Sequence, residues 1–356
     1  PTILKAISER HKKSFQSIVG EIARYAFSGP KVTAEEYLTL RMFDDAKLTA
    51  ADKAKFAGSS NYQRMWIHGN FMRDWLGVIN DKLAFNALFG SYGMPVVKLK
   101  ALYHTDFVPP GYNPLRSADD IRTFLRNPDS YPFFSKPVRS SLSLGSASVV
   151  GYDEATDKLK FLSGKQVAAA DFIDDIITNF EGGYLFQERV KPHDEVRALC
   201  GERAATVRVY TLNGPRGPEI FRAAWKIPGG KNAADNFWRK GNILAAIDMK
   251  TGIVTRAVTG MAVEQIELQA HPDTGRQLVG TKVPNWETIC NLALVAGGSA
   301  PMNRSDSHAI GELVVDGRLA ACEPQRIDAA RQSGSDDKSG LTEFVRDAFG
   351  ELDTGR

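Results

Sequence analysis

The sequence predicts an α+β protein in which helices dominate the first part of the chain and strands dominate the middle. Apolar residues recur at helical spacing near the N-terminus, for example at Phe15, Ile18 and Ile22. Between residues 131 and 260, short apolar runs alternate with glycine-containing and charged turns, which is typical of strands. At 356 residues the chain is long enough to divide into two or three subdomains.

The first 80 residues are predicted to form a helical region. Its first clear helix ends at Ser28-Gly29-Pro30, because glycine and proline stop a helix. Two capping-box patterns, which begin at Thr33 and Thr49, each open a further helix. No motif in this region indicates chemistry, so we interpret it as a packed accessory region.

Helix and strand alternate in the next part of the chain. Asp81 is the predicted N-cap of a helix that ends near Gly93, and a short strand over 96–99 follows. Ser117 opens another helix, which Asn127-Pro128 closes. Further strands are predicted at 132–136, 146–151, 184–190, 205–212, 219–226, 242–248 and 253–258, with one helix at 171–180.

The last predicted elements are a helix over 286–296 and a β-hairpin over 313–321. Asp316-Gly317 is the strongest hairpin signal in the chain, because both residues tolerate the positive φ of a two-residue turn. The polar segment after Arg326 is interpreted as a mobile linker, and a short helix over 341–350 is predicted to follow.

Composition and charge exclude several classes of protein. The formal net charge is +3 and no stretch concentrates basic residues, so nucleic-acid binding is not predicted. The apolar runs are far shorter than the ~20 residues of a membrane span, and the N-terminus has no signal-peptide core. Cys200, Cys290 and Cys322 form no CxxC pair and are expected to be reduced thiols. We therefore expect a soluble, cytoplasmic protein of unknown oligomeric state.

A lysine followed by a loop of small residues is the first motif that suggests chemistry. Lys136 lies at the end of the apolar strand 131–135, and residues 139–146 are rich in small hydroxyl residues. Such a loop can direct N–H groups and hydroxyls toward phosphate oxygens, while the lysine supplies a point charge. The residue order is not that of a Walker A loop. A serine-rich hairpin loop beside a surface lysine is the alternative interpretation.

The segment 184–196 combines an apolar strand with hydrogen-bond acceptors. Backbone N–H and C=O groups on such a strand can recognise adenine, and Glu195, a few residues on, is suited to ribose hydroxyls. The alternative is an ordinary strand that leads into a charged turn.

The C-terminal hairpin carries oxygen ligands suited to a divalent cation. Glu323 and Gln325 are two residues apart, so their side chains are predicted to share one face, and the tight turn brings Glu312 alongside them. Mg²⁺ takes one or two carboxylates and leaves positions for phosphates. Carboxylates on a largely apolar hairpin are costly unless paired or metal-bound. The sequence therefore favours a metal site over a solvated strand pair.

Together these motifs resemble the ATP-grasp superfamily, and more narrowly its sugar-transfer-associated group, over roughly residues 35–327. The narrower resemblance rests on EEYLTLRMFDD (35–45), NDKLAFNALFGSYGMPV (80–96), QERVKPHDEV (187–196), ATVRVYTL (205–212), ADNFWRKGNILAAIDMKTG (234–252) and HPDTGRQLVGTKVPNWE (271–287). It implies the ATP-grasp fold, in which a nucleotide is clamped between two α+β subdomains.

The resemblance also implies how the chain is divided. A helical N-terminal region (1–80) and a pre-ATP-grasp-like segment (81–130) precede a small subdomain with a phosphate flap (131–190), a large subdomain with the metal site (191–327), and a linker with a C-terminal helix (328–356).

Single residues receive roles from the same resemblance. Lys82 and Lys136 would contact phosphates, and Arg208 would meet the γ-phosphate or an acyl phosphate, so Arg208 and Lys136 are the implied catalytic residues. The loop 140–145 would be the flap. The remaining implied contacts are Ser140, Ser141, Ser143 and Gly145 for phosphate, Gln187, Glu188, Arg189 and Val190 for adenine, Glu195 for ribose, and Glu312, Glu323 and Gln325 for metal.

At the metal positions the chain departs from the usual family pattern. The family typically has Asp and then Glu-x-Asn, whereas this chain has Glu312 and then Glu323-Pro324-Gln325. The oxygen chemistry is retained, but the longer side chains move the ligands outward.

The activity implied by the resemblance is ATP-dependent ligation. A carboxylate is activated as an acylphosphate, which an amine or thiol then attacks, with ATP and Mg²⁺ (Mn²⁺ as an alternative ion) as cofactors. An amino acid joined to a sugar acid or glycan precursor, in polysaccharide biosynthesis, is the substrate pair that the analogy implies. Residues 236–242 are candidates to line the acceptor pocket; a surface loop is the alternative.

Two other functions stay open. A kinase on the same scaffold would need a general base, for which His193, His271 or the better-placed His308 is available. The altered metal positions also leave room for a non-catalytic ATP-binding scaffold.

Overall fold

Two seven-stranded sheets organise the chain in the computed structural model, which describes residues 2–59, 77–78, 80–140, 144–214, 217–235, 239–299, 309–316 and 319–326. The helices in this part of the chain are α1 (Thr2–His11), α2 (Phe15–Phe27), α3 (Ala34–Thr39), α4 (Ala50–Ala54), α5 (Lys82–Ser91), α6 (Ala118–Arg126), α7 (Ala169–Asn179), α8 (Asp194–Cys200) and α9 (Trp286–Ser299).

The first sheet has the strand order β2-β1-β7-β3-β4-β5-β6. Its strands are β1 (Leu99–Tyr103), β2 (Pro114–Leu115), β3 (Phe133–Pro137), β4 (Ala147–Asp153), β5 (Lys158–Phe161), β6 (Gln166–Ala168) and β7 (Tyr184–Glu188). On one face, α6 and α7 cover a core that includes Ile121, Phe133, Phe172 and Phe186. The other face carries a smaller cluster of Leu102, Val138 and Leu185.

The second sheet is antiparallel throughout its described ladders and has the order β12-β11-β10-β9-β8-β13-β14. Its strands are β8 (Thr206–Gly214), β9 (Gly217–Ile227), β10 (Ile243–Ile247), β11 (Val254–Thr259), β12 (Ile266–Leu268), β13 (Ala309–Asp316) and β14 (Leu319–Arg326). Residues of α5, α8 and α9 pack against Val207, Val209 and Trp225 on one face.

Helix α5 contacts the cores of both sheets. Its Phe85 and Phe89 stack at a centroid distance of 4.2 Å and belong to the core of the second sheet. Leu83, at the start of the same helix, packs against the Val138–Leu185 cluster of the first sheet. The N-terminus of α5 is therefore held where the two sheets approach each other.

The N-terminal helical unit (residues 2–59) has its own core, which includes Ile7, Ile18, Tyr37 and Phe43. Three of its side chains make polar contacts with the β12 end of the second sheet, and Val263 packs against its core. Arg10 Nη1 donates to the Val263 carbonyl at 2.7 Å, and Arg41 Nη1 donates to Gln265 Oε1 at 3.0 Å. Lys47 forms an ion pair with Glu267 at 2.8 Å. None of the helices in the described residues is long and apolar enough to cross a membrane.

Most predicted helix starts are confirmed, because local capping fixes them. Thr33 and Thr49 both form complete capping boxes, and Asp81 Oδ1 accepts from two N–H groups of the first turn of α5. The predicted strand 96–99 is wrong, because the ladder with β7 begins only at Leu99. The predictions missed β2, β5, β6 and β12, each only two to four residues long, and α8. The linker and the 341–350 helix lie outside the described residues.

Candidate functional site

Lys136 and Gln187 lie on one face of the first sheet. In the β3–β7 ladder, Lys136 pairs with Leu185 and Phe134 pairs with Gln187. Because alternate residues share a face, both side chains project away from the core under α6 and α7. Gln187 is buried and Lys136 is half-buried. The fold thus brings a predicted phosphate contact and a predicted adenine contact to the same surface.

Lys82, the first residue of α5, reaches the start of the predicted flap. Its ammonium donates to the Ser140 carbonyl at 2.7 Å and to the Val138 carbonyl at 3.3 Å. Ser140 Oγ lies 3.4 Å from the same nitrogen. Leu83 packs with Val138 and Leu185, so Lys82 is on the Lys136 side of the sheet. The two predicted phosphate lysines therefore flank the base of one loop.

The far end of the flap is fixed by tight contacts. Gly145 has φ +70°, and a Cβ there would lie 2.4 Å from the Phe180 ring. Its carbonyl accepts from Tyr184 Oη at 2.6 Å, and Ser135 Oγ lies 3.2 Å from the same hydroxyl. Burial raises the pKa of Tyr184, so the phenol stays a donor at neutral pH. Ser141 and Ser143 lie outside the described residues.

The predicted adenine segment connects the two sheets. Glu188 is exposed, and its N–H donates to the Lys98 carbonyl at 2.9 Å, while Val190 is half-buried. Arg189 Nη2 donates to the Glu202 carbonyl at 2.5 Å, so its side chain turns toward the turn after α8. Glu195 is exposed in the first turn of α8, whose N-cap is His193. A charged turn was one prediction for this stretch, whereas the structure has helix α8 here. Asp194 and Glu195, acidic residues in the first turn of the helix, were the sequence signal for it.

Arg208 lies on the polar face of the second sheet. Val207 and Val209 enter the core, so Arg208, between them, faces the other way and is half-buried. It pairs with Ala224 of β9, and the same face of β9 carries Arg222 and Lys226. These two cations were not predicted from the sequence, although their alternation with the core residues Ala223 and Trp225 was a signal for them.

A buried carboxylate partly balances this face. Asp235 Oδ2 accepts from the Thr206 N–H at 2.9 Å and also from the Thr206 hydroxyl. Asp235 Oδ1 lies 4.0 Å from Lys226 Nζ. The face remains rich in cations, which suits a site for anionic groups.

The predicted metal positions lie opposite one another in the β13–β14 ladder. Glu312 pairs with Glu323, and Ile310 pairs with Gln325. On its other side Glu312 pairs with Tyr210, two residues from Arg208. The side chains of these three metal-binding candidates lie outside the described part of the structure. Among the side chains that it does describe, no three His, Cys, Asp or Glu residues gather into a metal-binding group.

The loop between β9 and β10 is held by buried polar side chains. Asn242 is fully buried; its Oδ1 accepts from the Gly229 N–H at 3.0 Å, and its Nδ2 donates to the Ala234 carbonyl at 2.8 Å. Arg239 and Lys240 are exposed, whereas Asn236 and Trp238 lie outside the described residues.

Of the three candidate bases, His271 is engaged at both ring nitrogens. It is fully buried, its Nε2 donates to the Pro228 carbonyl at 3.0 Å, and its Nδ1 accepts from the Asp273 N–H at 3.2 Å. His193 Nδ1 accepts from the Glu195 N–H at 3.3 Å. His308 lies outside the described residues.

The chain belongs to the sugar-transfer associated ATP-grasp family, whose pattern it matches over residues 62–301. Membership confirms the predicted family and its α+β, ATP-grasp fold class. The matched stretch includes Lys82, Lys136, Arg208 and the β9–β10 loop, and it ends before the β13–β14 hairpin. A comparison with curated proteins finds no match.

Several solved structures are similar at low identity. An L-amino acid ligase from Bacillus licheniformis is 12% identical, with a TM-score of 0.36 over 72% of this chain and 44% of its own. A D-Ala:D-Ser ligase from Enterococcus faecalis is 11% identical, with a TM-score of 0.36 over 70% of this chain and 53% of its own. The biotin carboxylase domain of the 2-oxoglutarate carboxylase from Hydrogenobacter thermophilus was solved with MgADP. It is 11% identical, with a TM-score of 0.39 over 82% of this chain and 51% of its own. This chain thus spans about half the length of these proteins.

Proposed function

We propose that this protein is an ATP-dependent ligase that activates a carboxylate as an acylphosphate and passes the acyl group to an amine or a thiol. The observation that carries the proposal is the position of the Lys82 ammonium. It sits at the base of the 139–146 loop, 2.7 Å from the Ser140 carbonyl, on the side of the first sheet that carries Lys136 and Gln187. Membership of the ATP-grasp family supports the same proposal.

In this proposal the phosphates of ATP lie between the two lysines and Arg208. Lys82 and Lys136 neutralise phosphate charge, and phosphate oxygens replace the main-chain acceptors that Lys82 now contacts. The loop from Ser140 to Gly145 closes over the phosphates, with both ends anchored. Because three of its residues are serines and one is a glycine, its N–H groups and hydroxyls can approach the phosphate oxygens.

The nucleoside end of ATP is assigned to the segment between the sheets. Gln187, Glu188, Arg189 and Val190 form the adenine side, where backbone groups of the strand end recognise the base. Glu195, exposed on α8, accepts from the ribose hydroxyls.

Glu312, Glu323 and Gln325 are proposed to bind Mg²⁺. The donor set fits a hard cation, because paired carboxylates and an amide oxygen are ligands that Mg²⁺ accepts while it keeps positions for phosphates. The ladder that opposes Glu312 to Glu323 supports this assignment. An ion held by these three residues would supply positive charge that offsets the charge of the phosphates.

The chemistry needs charge neutralisation and exclusion of water more than proton transfer by a side chain. Arg208 is proposed to stabilise charge on the transferred phosphoryl group and on the acyl phosphate. The β9–β10 loop is proposed to line the acceptor pocket, with an amino acid and a sugar acid or glycan precursor as the substrate pair.

The test is Mg²⁺-dependent ATP turnover against a panel of amino acids paired with sugar acids, with ADP and free phosphate measured together. A ligase releases both products only when carboxylate and amine are present, and hydroxylamine traps its acylphosphate. ADP without free phosphate would indicate a kinase instead. Nucleotide binding without turnover across the panel would favour the scaffold.

Lys136→Ala supplies the control for the site itself. The variant should lose ATP binding, measured by calorimetry, whereas Lys158→Ala, an exposed lysine on β5 of the same sheet, should bind as the wild type does. Normal ATP binding by Lys136→Ala would overturn the phosphate assignment.

A further inference from the structure

A single guanidinium joins helix α8 to the loop between β9 and β10. We name the described residues of that loop, 228–235 and 239–242, the acceptor loop. Arg203 Nε donates to the Cys200 carbonyl at the end of α8 at 2.7 Å, and Arg203 Nη1 donates to the Gly230 carbonyl at 2.7 Å. Only 17% of the Arg203 side chain is exposed.

A second layer of contacts holds this guanidinium in place. Asp273 Oδ2 lies 3.2 Å from Arg203 Nη2 and accepts from the Gly230 N–H at 2.8 Å. The turn that carries Asp273 is fixed to α8 as well, because Thr274 Oγ1 donates to the Leu199 carbonyl at 2.8 Å. The buried His271 donates from the same turn to the Pro228 carbonyl. Helix, turn and loop therefore form one hydrogen-bonded block.

The acceptor loop has little freedom of its own to absorb movement. Asn232 Nδ2 donates to the Gly229 carbonyl at 3.0 Å and to the Lys240 carbonyl at 2.8 Å, which ties the two arms of the loop together. Gly229 and Gly241 approach so closely that a Cβ on Gly229 would lie 2.1 Å from the Gly241 oxygen. Any shift of Gly230 is thus passed to Lys240.

We propose that Arg203 is a positioning residue that couples the nucleotide to the acceptor loop. The inference rests on the proposed function, in which Glu195 of α8 binds ribose and the acceptor loop lines the second-substrate pocket. Binding of nucleotide to α8 restrains Cys200, and the rigid fork of Arg203 transmits that restraint to Gly230. Only arginine presents several donors in one plane, so the coupling depends on this side chain and not on charge alone.

Hydrogen exchange measured peptide by peptide, with and without the non-hydrolysable probe Mg·AMP-PNP, tests the coupling in the full chain. In the wild type the probe should slow exchange both in residues 187–196 and in the acceptor loop. In Arg203→Gln the probe should still slow exchange in residues 187–196 but should no longer slow it in the acceptor loop. Loop amides of the variant should exchange about tenfold faster even without nucleotide.

The controls separate coupling from loss of structure. Arg197→Gln removes an exposed guanidinium from α8 that pairs with Asp194 and Glu202 but not with the loop, and it should leave both effects intact. Arg203→Lys keeps the charge beside Asp273 without the fork and should behave as Arg203→Gln does. If Arg203→Gln unfolds, Asp273→Asn, which weakens the same block, takes its place.

Two outcomes would overturn the inference in different ways. If the probe protects residues 187–196 and the loop equally in wild type and Arg203→Gln, Arg203 does not couple them, while the nucleotide site stands. If the probe fails to protect residues 187–196 in the wild type, the proposed nucleotide site fails, and the coupling fails with it.

Discussion

The Lys82 ammonium donates to the Ser140 carbonyl at 2.7 Å, so the first residue of α5 is tied to the first residue of the flap. In the proposed complex this ammonium contacts a phosphate, and hydrogen bonds of charged groups contribute roughly 1.5–3 kcal/mol. We expect Lys82→Met to weaken binding of Mg·AMP-PNP about ten- to hundredfold by calorimetry.

Arg139→Gln is the matched control for Lys82→Met. Arg139 is an exposed cation of the same loop base, 3.2 Å from Asp81, and exposed ion pairs contribute little. Its loss should change affinity less than about threefold. Equal effects of the two substitutions would contradict a specific phosphate contact by Lys82.

Glu323→Gln should uncouple nucleotide binding from magnesium. Wild-type protein is expected to bind AMP-PNP more tightly when Mg²⁺ is present, because in the proposed site the ion would neutralise the phosphates beside Glu312 and Glu323. In the variant that enhancement should fall about tenfold or more in paired titrations with and without Mg²⁺. Glu219→Gln, at an exposed position of β9 in the same sheet, should retain it. A retained enhancement in Glu323→Gln would contradict the metal assignment.

Gly229 and Gly20 should respond to alanine with opposite signs. A Cβ at Gly229 would meet the Gly241 main-chain oxygen, which no side-chain rotation can relieve, so we expect Gly229→Ala to cost about 2 kcal/mol of stability. Gly20 lies in α2 with nothing within 4 Å of its Cβ position. Gly20→Ala should therefore stabilise by about 0.5–1 kcal/mol. Denaturant unfolding of both variants measures the difference.

The N-terminal helical unit should lose stability in acid because of an ion cluster. Lys13 contacts Glu21 at 2.7 Å and Asp45 at 2.8 Å, and the buried Lys53 contacts both carboxylates. Burial disfavours ionisation of both acids and would raise the pKa of each. Contacts with the two lysines, and for Glu21 also a hydrogen bond from Tyr37, outweigh burial, so the pKa of Glu21 and the pKa of Asp45 are both lowered.

The sign of the pH dependence follows from those lowered pKa values. A depressed carboxyl pKa contributes stability that is complete above the unfolded value, about 4, and is lost as the pH falls through the folded value. Melting temperatures measured from pH 7 down to pH 3 should therefore fall, and Glu21→Gln should flatten the slope. An unchanged slope in that variant would show that the cluster does not control acid stability.

Local signals explain what the sequence could predict of the fold. Thr33, Thr49 and Asp81 cap helices with partners two or three residues away, so the sequence alone identifies those starts. Helix α8 was missed because it spans only seven residues and depends on Val196 and Leu199 packing into the core of the second sheet.

The residues of the candidate site also divide into those with a local sequence signal and those that depend on distant partners. Lys136 was predicted from its place between an apolar strand and a serine-rich loop, and Gln187 from the family resemblance; their position on one face of the first sheet came only from the strand register. Arg203 was missed because its partners Gly230 and Asp273 are 27 and 70 residues away along the chain. Nothing near Arg203 in the sequence distinguishes it from a surface arginine in a turn.

The docking of residues 2–59 beside β12 has a consequence for any shortened version of the protein. In the described strands β12 pairs only with β11, and its Ile266 is 58% exposed. Three charged side chains, those of Arg10, Arg41 and Lys47, contact residues at this sheet edge. An unprotected edge strand can pair with the strand of another chain. We expect a protein cut to begin at residue 60 to expose this edge and to self-associate in light scattering, in which case the N-terminal helical unit protects this sheet edge against aggregation.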